Sequence, residues 1–565
     1  MNSVIADLRF AGRELRRRPG FAITAVLSLA LGIGATSAVF SVIYGVLLNP
    51  FPYVDSERMM ELSMRLPDGR YRYTGFRATQ IDQLRQARTV ENVVAQDGWN
   101  LTTTDGDIPE DVVAAYMSPN APNNWGVPAL MGRWLIPSDA PPGQDAERVV
   151  VLGYQFWQRY YAGDPAVVGR TIQLVRKDYQ IIGVMPPRFR WREADIYMPL
   201  AIKSDPNIGY GIILRIKPGV SVEDAQADLQ PILEKFAKED APGRYPDKFK
   251  VALRSIVELY ARPMGPKLLL LLGAVTSLLL VGCANVSILL LVRGSHRQQE
   301  LAVRAALGAG RGRIVRQLLT EAGAIAIAGT VFGVLIAWKG LALIVSWIPT
   351  NSFAAESVIE MNMPVLLVST ALAVVTAVVF GVWPALQLSR PDLARVTQAN
   401  ARRVMGNAQG RRTHRVMVAV QVALTLLMLT VAGAAGKGFL RLANADLGYD
   451  PRNTMSLPIP VHDGTYKTWK ERSEYFDRLH AAVARLPNVE AVGISTNATP
   501  PANGGDSTFE IFGGDPQAKP VARANLVSSE YFPVLRIPLA AGRLWSRDEI
   551  ARGAPLAVIL SLIHI

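Results

Sequence analysis

One cysteine stands in 565 residues, Cys283, so no disulfide can form within the chain and a disulfide scaffold is excluded. Histidine is scarce too. The five present (His296, His414, His462, His480 and His564) are scattered with no pair at i, i+4, and no zinc site follows from them. A phosphate-binding loop is missing: Gly433-Ala-Ala-Gly436-Lys437-Gly438 has Val431 where the first glycine belongs and Gly438 where Ser or Thr belongs. There is no G-x-S-x-G nucleophile elbow. Charge is thin, at 19% of residues against about a quarter in ordinary soluble domains. What is present is apolar. Hydrophobic residues make up 50% and mean hydropathy is +0.18, too high for disorder and high enough that some surface must face something other than water. At about 150 residues per unit the length suggests three to four domains. The net charge of +13 fits either nucleic acid or basic loops beside membrane helices, and its distribution decides.

A membrane helix needs about 20 apolar residues without central charges. Phe21–Leu48 meets this, as do Leu268–Val292, Leu318–Ile348, Met363–Leu388 and Val416–Ala435. In the third, Glu321 and Lys339 lie near the ends and are expected to snorkel to the interface. Arg9, Arg13, Arg16, Arg17 and Arg18 precede the first stretch, six arginines from Arg293 to Arg316 separate the second and third, and seven from Arg390 to Arg415 separate the fourth and fifth. The short loop Pro349–Asn362 carries Glu356 and Glu360 and no base. Positive charge gathers on the cytoplasmic side, so the sequence predicts a cytoplasmic N-terminus. The expected order is a basic N-terminus (1–20), a first span (21–48), an outer domain (49–266), a second span (267–292), a cytoplasmic loop (293–317), a third (318–348) and fourth span (363–388), a basic linker (389–415), a fifth span (416–440) and a second outer domain (441–565). The first apolar run is about twice the 7–15 residues of a signal peptide and reads as an uncleaved anchor. Charge here is topological, and nucleic acid is not an expected partner.

The outer segments share a pattern. Ser118–Arg133 and Ser528–Arg543 align at constant offset, pairing Ser118 with Ser528, Trp125 with Leu535, Pro128 with Pro538 and Gly132-Arg133 with Gly542-Arg543. A β-like run follows each, Arg148–Gly153 and Pro555–Leu560, so a larger unit is duplicated. In the first copy, Gln155–Tyr161 reads as a helix packing on a sheet and ending at Gly163-Asp164-Pro165. Thr171–Val175 and Tyr179–Val184 read as a hairpin turning at Arg176-Lys177-Asp178, and Ser221–Lys238 as an amphipathic helix. The outer domain is therefore mixed α+β.

In the loop between the second and third spans, Leu301, Arg304, Ala305 and Gly308 fall on one helical face, with Glu300 and Arg304 at i, i+4. Gly308 and Gly310 end that helix before Arg311 begins the next segment. A short helix across the cytoplasmic face, followed by a break, suits contact with a cytosolic partner through Glu300, Leu301, Arg304, Ala305, Gly308 and Arg311.

Gly282-Cys-Ala-Asn-Val286, Arg297–Arg304 and Ala306-Leu-Gly-Ala309 resemble the MacB/FtsX-type permeases of ABC transporters. So do Leu31-Gly-Ile-Gly-Ala35 with Phe40-Ser-Val, Phe380–Leu386 with Ser389-Arg-Pro-Asp392, Gln421-Val-Ala-Leu424 and, outside, Gly183-Val-Met-Pro186. Within that family the chain looks most like the duplicated orphan permeases. The resemblance implies an α-helical integral membrane protein of the bacterial inner membrane with mixed α+β periplasmic core domains. It implies a Glu300–Ala309 helix docked on a separate cytosolic ABC-type ATPase, and mechanotransmission from that ATPase to the periplasmic domains. The wider expectations are contact with membrane lipid, a periplasmic adaptor or outer-membrane channel, and a homodimer or pseudo-dimer built from the duplication. No cofactor, metal or catalytic residue is expected in the chain itself. The alternative reading is a membrane scaffold or signalling protein that regulates a cell-envelope enzyme. Against the family's four-helix unit the second copy is incomplete, which predicts a truncated chain with Ser561–Ile565 foreign to the fold.

Overall fold

The computed structural model describes residues 13, 16, 17, 19–105, 109–240, 245–296, 311–347, 353–388, 408–445, 447–459, 461, 465–466, 468–498, 506–508, 513 and 521–559. Two compact units divide the chain, Met1–Ala432 and Gly433–Ile565.

The outer part of the first unit is built on a split βαβ core. Strand β1 (Met59–Arg65), helix α1 (Ala78–Arg85) and β3 (Val90–Thr102) form one half, with the short β2 (Tyr71–Arg72) paired to β1. Strand β10 (Gly211–Ile216), helix α2 (Val222–Glu239) and β11 (Lys250–Ser255) form the other. Their order, β11-β1-β10-β3, is antiparallel throughout, the arrangement expected of two βαβ halves interleaved. Ser221 caps α2 by accepting from the Asp224 amide, and Ala225, Leu229, Leu233 and Phe236 bury one face beside Ile81 and Leu84 of α1. Full burial of each such Leu contributes about 1.5–3 kcal/mol.

Residues 103–209 are inserted between β3 and β10. The long β3 carries the sheet into them: its first half pairs with β10 and its second with β4 (Asp111–Met117). The sheet continues through β9 (Ile196–Pro199), β6 (Val149–Leu152), β8 (Lys177–Val184) and β5 (Met131–Gly132), with β7 (Thr171–Leu174) hairpinned on β8. The β4–β9 and β6–β8 pairs are parallel. Tyr154–Tyr160 is helical, and its Phe156 and Trp157 pack on Val150, Ile172 and Ile181. The β7–β8 turn falls at Val175 and Arg176, both at positive φ, starting one residue before the expected Arg176-Lys177-Asp178 and sharing only Arg176 with it. Lys177 and Asp178 belong to the ladder instead, where Gln173 Nε2 donates to Asp178 Oδ1 at 3.2 Å.

Among the described residues, four helical stretches are long and apolar enough to cross a membrane by length and composition: Pro19–Leu48, Ile256–Arg293, Val315–Trp347 and Val418–Ala443. A shorter apolar stretch, Met363–Val378, lies in the helix Met363–Leu388. We label the membrane helices A (Pro19–Ile43, continuing as a π-turn over Tyr44–Leu48), B (Gly265–His296), C (Arg311–Trp347), D (Met363–Leu388) and E (Ala408–Ala443). Helix A is enclosed by B, C and D, and small residues let it approach closely. A Cβ on Gly34 would stand 2.8 Å from the Gly333 carbonyl oxygen, and one on Gly282 would stand 2.8 Å from that of Ser28. Ser37 and Ser369 share a buried hydrogen bond at 2.7 Å between A and D, and Gln421 of E donates to Asn285 of B at 2.9 Å.

In the second unit the aligned stretch repeats the local structure of the first. Ser118 N donates to Ala95 O, and Ser118 Oγ accepts from Ala95 N. Ser528 makes the same two bonds with Ile494. Arg133 grips both carboxylate oxygens of Asp139 at 2.7 Å and the Trp134 carbonyl; Arg543 grips both of Glu549 at 2.8 and 2.6 Å and the Leu544 carbonyl. Gly132 and Gly542 before them both have positive φ, +68° and +83°. Pro555–Leu560 departs from expectation, since residues 555–559 join no ladder. Its counterpart β6 exists as a strand through its pairing with β8 and β9. Ser561–Ile565 lie outside the described residues.

Candidate force-transmitting joint

Helix A leaves the apolar bundle through the π-turn and enters Asn49-Pro50-Phe51-Pro52-Tyr53. The two prolines fix φ and lack amide donors, so this segment is a stiff, extended lead into the outer domain. Its end meets two other elements. Residues 353–362, between helices C and D, lie against the π-turn so closely that a Cβ on Gly45 would stand 2.3 Å from the Val358 carbonyl oxygen. Residues 186–193 of the outer domain, which follow β8, complete the junction.

Polar contacts fix it. Tyr53 Oη donates to Glu356 Oε1 at 2.5 Å, with both residues 5% exposed. Arg188 Nη2 donates to the Asn49 carbonyl at 2.8 Å, and Arg188 Nε reaches the Glu356 carbonyl at 3.5 Å. Arg190 Nη1 donates to the Ala355 carbonyl at 3.4 Å. Around these lies an aromatic core: the Tyr53 ring stacks on Phe51 at 5.5 Å and meets Phe189 at 5.6 Å and Trp191 at 5.9 Å edge-on. Trp125 packs on Trp191 at 5.0 Å, and Ala354 packs against the same cluster. Burial, and after it the Glu356 carboxylate, hold the Tyr53 phenol well above its ordinary pKa. Burial pushes the Glu356 carboxyl up, opposed by the hydrogen bond from Tyr53. The phenol therefore stays a donor across the physiological range, and the carboxylate is held in a setting that favours its protonation. Close-packed rings and buried polar contacts thus bind helix A and residues 353–362 to the outer domain.

The sequence alone marks Glu356 only as an acid in a short loop and gives Tyr53 no role. A lone Glu and a Tyr between prolines show no periodicity, and only the fold brings them together across 303 positions. The predicted coupling residues Glu300, Leu301, Arg304, Ala305 and Gly308 lie outside the described residues, as does most of the basic linker 389–415; Arg311 is described as the first backbone position of helix C. Glu321 does not snorkel as expected: it is buried and paired with buried Arg293. His480 carries a structural contact, its Nε2 lying 3.0 Å from the Val492 carbonyl. Among the described residues, no three His, Cys, Asp or Glu side chains are grouped to hold a metal.

An α+β domain joined to a bundle of apolar helices, through the Tyr53 junction and through the segment Ile256–Met264 that leads from β11 into helix B, defines an integral membrane protein with a mixed α+β extracytoplasmic domain. Residues 22–232 match the MacB-like periplasmic core domain, and residues 272–393 match the FtsX-like permease C-terminal domain. The chain belongs to the MacB/FtsX-type permeases of ABC transporters, a family that with the apolar helices marks it as an inner-membrane protein with a periplasmic domain. It is 26% identical over 285 residues to the pyoverdine export ATP-binding/permease protein PvdT of Pseudomonas syringae pv. syringae, covering 48% of this chain and 40% of that protein. It is 26% identical over 264 residues to the macrolide export ATP-binding/permease protein MacB of Nitrosomonas europaea, covering 43% of this chain and 36% of that one. The matches thus span well under half the length of these curated relatives. The periplasmic region of MacB from Actinobacillus actinomycetemcomitans is similar at a TM-score of 0.29 and 14% identity, over 40% of this chain and 96% of that one, a level that supports no inference.

Proposed function

We propose that the chain is the permease subunit of an ABC exporter and contains no catalytic centre of its own. A separate cytosolic ATPase docks on the cytoplasmic loop through Glu300, Leu301, Arg304, Ala305, Gly308 and Arg311. ATP-driven movement of the helices then reshapes the periplasmic domain. The observation that carries this reading is the Tyr53–Glu356 joint, which ties helix A, the segment between C and D and the aromatic core into one mechanical link. The chain is multi-pass with its N-terminus in the cytoplasm, a reading its arginine distribution supports. Relatives named for pyoverdine and macrolide export make a small envelope-crossing compound the fitting substrate class. A periplasmic adaptor or outer-membrane channel completes the path, and the recurrence of the Ser118–Arg133 structure at Ser528–Arg543 favours a pseudo-dimer.

The test is co-purification of the ATPase with Glu300→Lys and Arg304→Ala variants. If the loop forms the interface, membrane insertion stays normal while the complex weakens, because truncating one partner of a buried interfacial ion pair costs about 2–5 kcal/mol. Unchanged binding and unchanged stimulation of ATP hydrolysis would reduce the loop to a basic surface.

A further inference from the structure

At the end of the bundle opposite the joint, three helices meet around two charges. Arg293 of helix B and Glu321 of helix C are 7% and 3% exposed, with Arg293 Nη1 3.8 Å from Glu321 Oε2. The Arg293 guanidinium also lies 5.0 Å from the centroid of the Phe21 ring on helix A. Beneath them is the apolar core of Ala25, Leu29, Cys283, Val286 and Ile325. At 3.8 Å the contact is an ion pair rather than a close hydrogen bond.

Filling this place with charge is expensive. Each ion loses its hydration, and a well-packed apolar pair of similar volume is often as stable or more so. Ionisable residues within membrane helices are accordingly rare and tend to mark function. The position gives a reason to keep them. Arg293 lies four residues before the loop 297–310, the proposed ATPase contact, and Glu321 lies on the helix that follows that loop. The guanidinium touches helix C through charge and helix A through the ring face. Arg293 thus links B, C and the Phe21 end of A at one point, next to where the loop begins. The other end of A is the Tyr53 joint.

We propose that Arg293 and Glu321 are positioning residues that carry displacement of the loop 297–310 into helix A. The assignment rests on the permease reading above and extends it from the loop to the helix that bears the outer domain.

The test uses the full chain in proteoliposomes with the ATPase that co-purifies with it. Ala354→Cys reports on the joint through its rate of alkylation by a membrane-impermeant maleimide, with and without a non-hydrolysable ATP analogue; Cys283 is fully buried and stays silent. The reporter chain should change its alkylation rate with nucleotide. Glu321→Gln and Arg293→Gln should keep the ATPase bound yet lose about tenfold of that change, within the usual range of a coupling between sites. The exchanged pair Arg293→Glu/Glu321→Arg should recover it. A full nucleotide response in both single variants would overturn the proposal. Failure of the singles and the exchanged pair alike to insert would overturn it too, by making the pair a folding requirement. An Ala354→Cys reporter chain that binds the ATPase but whose alkylation ignores nucleotide would remove the permease reading itself, and the proposal with it.

Discussion

Tyr53 and Glu356 bind each other in a place closed to water, so each is costly to leave alone. Tyr53→Phe keeps the ring packing and removes only the donor, leaving a buried carboxylate short of a partner at a cost of about 1–3 kcal/mol. Thermal unfolding of the purified chain in detergent should show that loss, and Tyr53→Phe/Glu356→Gln together should lose less than the two singles summed. The same pair predicts a pH dependence. The folded-state pKa of Glu356 is raised above its unfolded value. Between those two values the folded joint holds a proton that the unfolded chain has released. Stability is therefore fully present below the unfolded pKa and is lost as pH rises through the folded one. Melting temperature measured from about pH 5 to about pH 8 should fall more steeply in the wild type than in Glu356→Gln, which has no carboxylate to ionise. Equal slopes would mean that Glu356 is not the buried acid described. Neither residue is legible as functional in the sequence, because a hydrogen bond between distant chain positions has no local signature. Arg293 and Glu321 mislead for the same reason: each looks like an interfacial charge until the fold buries it.

Helices and strands are far more legible than their contacts. The amphipathic run from Ser221 announces α2 with its cap, and long apolar runs announce the membrane helices, because periodicity and length are local properties. The β7–β8 turn starts one residue before its expected place because the residues at positive φ there, Val175 and Arg176, are not the glycine or asparagine that usually mark such a turn. The repeated Gly-Arg pair is visible as a pattern, while its reason, an arginine bridging a carboxylate and the next carbonyl, is not. Helix packing yields a sharper prediction. Gly34→Val places carbon against the Gly333 backbone of helix C, and overpacking of that kind costs about 1–3 kcal/mol. Gly323→Ala on the same helix C meets nothing within 4 Å and should be neutral or gain up to about 1 kcal/mol of helix propensity. Unfolding of the bundle in a denaturing detergent titration separates the two; equal effects would contradict the close approach of A and C.

At the scale of the first unit, helix A reaches from one end of the bundle to the α+β domain. One end meets the Arg293–Glu321 pair and the other runs into the Tyr53 joint, and in the proposed mechanism it carries displacement between them. That account requires the loop 297–310 and the α+β domain to lie on opposite sides of the membrane. Single cysteines read this directly in intact cells with an impermeant maleimide, provided that the sites are open. Ser118 is 2% exposed and hydrogen-bonded, so it is a poor outer probe, whereas Trp99 is 61% exposed on β3. On the other side Arg313, exposed near the start of helix C, serves. The predicted result is labelling of Trp99→Cys in intact cells and of Arg313→Cys only after the membrane is opened. Labelling of Arg313→Cys in intact cells would contradict the orientation and, with it, transmission from a cytosolic ATPase to the outer domain.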